Sequence, residues 1–113
     1  MKEIKAVLQP FKVAAVTDAL QAIPGVGGIT ALEARGFGHQ RGMYGLETPA
    51  KGAVNYTEKV LLILVVHDDL VDRVVSVIRD QAHTGNFGDG KVFVATVDDA
   101  LRIRTGERGE GAI

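Results

Sequence analysis

Twice along this chain the spacing of apolar residues changes from that of a strand to that of a helix and back, and this double switch restricts the fold more than any other feature. Residues 2–8 alternate, with Ile4, Ala6 and Leu8 on one face and Glu3, Lys5 and Val7 on the other, the pattern of a half-buried strand. After Pro10, Val13, Val16, Leu20 and Ile23 recur at helical steps and predict one apolar stripe. Pro24 and Gly25 end that helix, and residues 29–37 read as a second strand. The cycle then repeats. Lys59 to Val66 is a β-branched and leucine run that predicts a central strand buried on both faces. Asp68 or Asp69 is placed to cap a helix whose stripe is Val71, Val74, Val75 and Ile78. Val92 to Val97 is a fourth strand, Asp98 to Ala100 a turn, and Leu101 to Arg104 a short further strand.

Two β-α-β halves joined in this way predict an α+β, ferredoxin-like βαββαβ domain, an antiparallel sheet with both helices on one face. One domain over 1–113 suits the length, with a charged tail over 105–113. Between strands 2 and 3, Gly38 to Glu58 holds Gly38, Gly42, Gly45, Pro49 and Gly52 without sustained periodicity. A connection of roughly 20 residues is several times the usual length, and such loops carry function or disorder; it reads as a mobile, exposed loop over about 38–58. The sheet face opposite the helices needs cover, and a homotrimer would supply it.

Composition narrows the function. Thirteen basic and fourteen acidic residues give a net charge of −1, without the electrostatic footprint of a nucleic-acid binder. The first strands also lack the paired aromatics that stack RNA bases. Cysteine is absent, which excludes disulfides, thiol catalysis and cysteine-based zinc sites. The longest apolar run, Val60 to Val66, is too short to insert in a membrane, and the N-terminus resembles no targeting segment. A cytoplasmic protein is expected. His39, His67 and His83 lack metal-ligand spacing, and the single serine, Ser76, sits inside a predicted helix. No catalytic residues are assigned and no enzyme is expected.

Two segments suit an anion. Gly85-Asn86-Phe87-Gly88-Asp89-Gly90-Lys91 matches the start of a P-loop but ends in Val92 where magnesium needs Ser or Thr, and it precedes a strand instead of a helix. Its glycines still allow backbone N–H groups to converge on phosphate, with Lys91 neutralising charge. The alternative is a plain tight turn with Lys91 solvated. Arg102 and Arg104, two apart on a predicted strand, share a face and suit a phosphate between them, or else pair with Asp98, Asp99, Glu107 or Glu110. A second glycine cluster, Gly36-Phe37-Gly38, is not followed by the helix a dinucleotide fold requires.

These segments, Thr84 to Val94, Arg102-Ile103-Arg104-Thr105-Gly106-Glu107, Pro10-Phe11-Lys12 and Gly36-Phe37-Gly38, resemble the PII signal-transduction proteins over nearly the whole chain. The resemblance implies homotrimers that bind ATP or ADP between subunits. In many members 2-oxoglutarate joins with Mg-ATP, and the central loop then grips a transporter or enzyme of nitrogen metabolism. It places Gly88, Asp89, Gly90 and Lys91 along the phosphates and brings Arg102 and Arg104 from the neighbouring subunit. Val7, Thr30, Gly36, Phe37, Gly38, His39 and Val65 complete the nucleotide pocket. Gln40 is implied as a ligand of Mg2+ and of 2-oxoglutarate, and Lys59 as the partner of a 2-oxoglutarate carboxylate.

The chain departs from the family at four places. His39 stands where many relatives carry arginine, and Ile63 where a glutamate commonly lies beside the adenine pocket. Gly52 takes the place of the tyrosine that is uridylylated in many bacteria, and Ala50 that of the serine phosphorylated in some cyanobacteria. Two other readings follow: a PII-like paralogue serving metal efflux or inorganic-carbon uptake, and a slow nucleotide-hydrolysing enzyme.

Overall fold

The computed structural model describes residues 1–37 and 56–113. Its strands and helices are β1 (Lys2–Leu8), α1 (Val13–Gln21), β2 (Thr30–Gly36), β3 (Thr57–Val66), α2 (Val71–Ala82) and β4 (Gly90–Thr96). The sheet runs β2-β3-β1-β4 and every neighbouring pair is antiparallel, which is the expected ferredoxin-like order.

The core is built from the alternating positions identified above. Ile4, Ala6 and Leu8 of β1 and Leu62, Leu64 and Val66 of β3 are buried, and they meet Val16, Leu20 and Ile23 from the first helical segment and Val74, Ile78 and Ala82 from α2. A fully buried aliphatic side chain contributes about 1.5–3 kcal/mol of transfer free energy, so this face holds the helices to the sheet.

Four local expectations are corrected. β3 is buried on one face only among the described residues: Leu61, Ile63 and Val65 are half-covered, because no layer of those residues lies over the face opposite the helices. Phe93 and Leu32 share that face by register with Lys5 and Leu61 and are exposed. β3 also starts at Thr57, before the predicted Lys59, and β4 at Gly90, which brings Lys91 into the strand. Neither Asp68 nor Asp69 caps α2: both lie in a 3-10 turn without a side-chain capping bond, and Asp68 instead meets the Met1 ammonium at 2.9 Å. Leu101 to Arg104 is no strand. Only Leu101 forms a bridge, to Arg108, because Gly106, at φ +75°, turns the chain back so that its N–H donates to the Arg102 carbonyl at 2.7 Å.

Candidate site at the glycine turn

The last residues of β1, the first of β3 and the first of β4 share one end of the sheet. Val7 is the register partner of both Leu61 and Lys91, and Gly36 is the partner of Thr57. The turn entering β4 sits against this end and is shaped by three glycines with positive φ: Gly85 at 86°, Gly88 at 92° and Gly90 at 107°. Gly90 admits no side chain, since a Cβ there would fall 1.7 Å from the Val7 carbonyl oxygen. Both the backbone angle and the close approach demand glycine.

Asp89 closes the turn from within. Its carboxylate accepts the Thr84 N–H at 2.8 Å, the Gly85 N–H at 3.0 Å and the Thr84 hydroxyl. The Thr84 oxygen in turn accepts the Asn86 N–H at 3.1 Å. Donation by the Thr84 hydroxyl, then by the backbone N–H groups of Thr84 and Gly85, holds the Asp89 carboxyl below its ordinary range. Asp89 was expected along the phosphates; the structure directs its carboxylate onto the turn's own donors.

Lys59 reaches across the end of β1 and donates to the Gly88 carbonyl at 2.6 Å. Partial burial pushes its pKa down, against a smaller opposing effect of Asp89. Lys91 is exposed on the strand edge of the site. Of the other expected pocket residues, Thr30 pairs with Ile63 and Val65 with Glu3, on the sheet face that also carries Val7 and Lys91. Phe37 packs edge-on against Tyr56, ring centroids 5.6 Å apart. Gly38, His39 and Gln40, with the Mg2+ role of Gln40, lie outside the described residues. So do Ala50, Gly52 and most of the expected mobile loop.

The structure separates the two arginines from the turn. The Val97 N–H donates to the Met1 carbonyl at 3.1 Å, and Glu110 meets the Met1 ammonium at 2.9 Å. The tail therefore lies by the start of β1. Lys91 is at the opposite end of β4, roughly 20 Å away at strand rise. Arg102 is paired with Glu107 at 2.8 Å and donates to the Gly111 carbonyl at 3.3 Å, the carboxylate pairing weighed as an alternative for it. Arg104 is exposed and has no partner among the described residues. Asp99 pairs with Arg108.

Sequence reasoning overlooked three participants. Thr84 clamps the turn, a role signalled by a hydroxyl five residues before Asp89. Gln9 seats it, since a Cβ on Gly88 would come within 2.9 Å of Gln9 Nε2. Gly111 helps hold Arg102 through its carbonyl, and a backbone acceptor leaves no mark in sequence.

An antiparallel four-stranded sheet in the order β2-β3-β1-β4 with two helices on one face defines the ferredoxin-like class. Comparison with known proteins narrows it. The family model "Nitrogen regulatory protein P-II" matches residues 1–107. Proteins of that name are 48% identical in Bradyrhizobium diazoefficiens, 46% in Azospirillum brasilense and 48% in Rhodospirillum rubrum, each over 113 residues and the full length of both chains. The crystal structure of Arabidopsis thaliana PII bound to citrate superposes with a TM-score of 0.80 at 37% identity, covering 99% of this chain and 91% of that one. The chain belongs to the P-II family of nitrogen regulatory proteins, which are signalling proteins and not enzymes.

Proposed function

We propose that this protein is a nucleotide-sensing regulator whose site is completed between neighbouring subunits of a homotrimer. ATP or ADP lies against the sheet face carrying Val7, Thr30 and Val65. Its phosphates rest on the backbone of Gly88, Asp89 and Gly90 and on Lys91, and the neighbouring subunit supplies Arg104 and Arg102. Gly36 to His39 border the same pocket. 2-Oxoglutarate joins with Mg-ATP at Gln40 and Lys59, and the segment over 38–58 then engages a transporter or enzyme of nitrogen metabolism.

The observation that carries this reading is the separation of the cations. Lys91 and Arg104 are both exposed, one in the strand end by the turn and the other in the tail beyond the far end of β4, so one polyphosphate would reach both across a subunit boundary. The half-exposed apolar face of Leu61, Ile63, Val65 and Phe93 gives a second chain a surface to bury. Asp89 keeps its carboxylate turned inward, which leaves the approach to Lys91 less anionic. Citrate on the Arabidopsis relative suits a family site that accepts a small carboxylate.

Isothermal titration with ATP and with ADP tests the reading. Lys91→Ala and Arg104→Ala are each expected to weaken binding roughly tenfold to a hundredfold, the effect of losing a charge-assisted hydrogen bond. Absence of heat with either nucleotide removes the proposal. A role in metal efflux or inorganic-carbon uptake draws on His39 and the altered loop with Gly52, but the bacterial relatives named above are all called nitrogen regulatory proteins. The protein that co-purifies with the tagged chain decides between the pathways.

A further inference from the structure

Among the described residues, Lys59 lies beside the end of β2 and bonds to the glycine turn. Its aliphatic part lies over Gly36, where a Cβ would meet Lys59 Cγ at 3.8 Å. Its ammonium donates to the Gly88 carbonyl at 2.6 Å. That carbonyl belongs to a residue at φ +92°, a conformation that neighbouring structure has to hold, since glycine is the residue with most backbone freedom to lose.

We infer that Lys59 is a positioning residue for the turn: by fixing the Gly88 carbonyl inward it holds residues 85–90 in the shape that presents the backbone of Gly88 to Gly90 and Lys91 to phosphate. This rests on the proposed nucleotide site and adds a role to Lys59 that needs no carboxylate ligand. The bond is partly buried and joins a cation to a carbonyl, the stronger kind of hydrogen bond. Partial desolvation of the ammonium raises its demand for an acceptor, and the Gly88 oxygen supplies one. The same side chain lies beside Gly36, so one residue of β3 borders both the end of β2 and the turn.

The test uses the full chain with no 2-oxoglutarate present. Amide hydrogen exchange is followed over residues 84–91 and ATP affinity is titrated in wild type, Lys59→Met and Lys59→Arg. In Lys59→Met, exchange over 85–90 rises and ATP binds roughly tenfold more weakly, with exchange in β1 and β3 unchanged. Lys59→Arg, which keeps a cationic donor, recovers most of both effects. Unchanged exchange over 85–90 in Lys59→Met overturns the inference, as does faster exchange with undiminished ATP affinity. A wild-type protein that takes up no ATP sinks the nucleotide site itself. The exchange arm still decides, in that case, whether Lys59 holds the turn.

Discussion

The two ends of the sheet are held together by different physics. At the turn end, the chain is fixed by backbone angles open to glycine, by a Cβ-free approach of Gly90 to Val7, and by an internal clamp from Asp89. At the tail end, the Met1 ammonium, Asp68 and Glu110, the Arg102–Glu107 pair and the Arg108–Asp99 pair do the holding. Steric fit and backbone angle respond little to salt, whereas exposed ion pairs are weak and screened. The turn is thus a rigid half of the proposed site, and the tail carrying Arg102 and Arg104 is a half that is cheap to move.

This contrast is broken most severely by Gly90→Ala. The new methyl has no room and the backbone angle is strained, so a loss of about 3 kcal/mol or more of stability is expected. Thermal or urea unfolding measures it, and a change under about 1 kcal/mol would mean the turn is softer than it looks.

A smaller effect is expected from Asp89→Asn, about 1 kcal/mol from weakened acceptance of the Thr84 and Gly85 donors. It carries a pH signature. The Asp89 carboxyl titrates lower in the fold than in the open chain, so its contribution is fully present above the ordinary carboxylate range and is lost as the pH falls through the folded value. Amide exchange at Thr84 and Gly85 is expected to quicken on acidification, beyond the intrinsic dependence of exchange on pH. In Asp89→Asn that extra component disappears. Its persistence in the variant would place the titrating group elsewhere.

The smallest change is expected at the tail. Glu107→Gln releases the Arg102 guanidinium from an exposed carboxylate and lowers stability by about 0.5 kcal/mol or less. High salt brings wild type and variant together. A larger, salt-insensitive loss would show that the tail is as firmly built as the turn.

The two ends also differ in how far the sequence discloses them. Strand and helix periodicity places Ile4, Leu8, Val16, Leu20, Val74 and Ile78 correctly in the core because burial on one face imprints a regular pattern. The glycine turn is legible for a related reason: positive φ at Gly85, Gly88 and Gly90 leaves a residue-type signature. The tail is not. Arg102-Ile103-Arg104 alternates like a strand, yet Gly106 reverses the chain and Arg102 turns to Glu107 and Gly111. Ile103 is left 94% exposed, which no burial pattern could announce. Asp68 illustrates the same limit, since an acidic residue before a helix fits a cap equally well as an ion pair with a distant ammonium. Lys91, Arg102 and Arg104 read as phosphate-binding cations from their own chemistry, and the family resemblance implies that the arginines come from a neighbouring subunit; the fold adds that turn and tail lie by opposite ends of β4.

Subunit mixing tests that separation most directly. Lys91→Ala and Arg104→Ala chains, each deficient in ATP binding alone, are unfolded, combined in equal amounts and refolded. If turn and arginine come from different chains, about one quarter of the interfaces pair an intact Lys91 with an intact Arg104 by random assortment in a closed ring, and that fraction of sites regains wild-type affinity. Mixed trimers that recover no high-affinity sites would contradict the account.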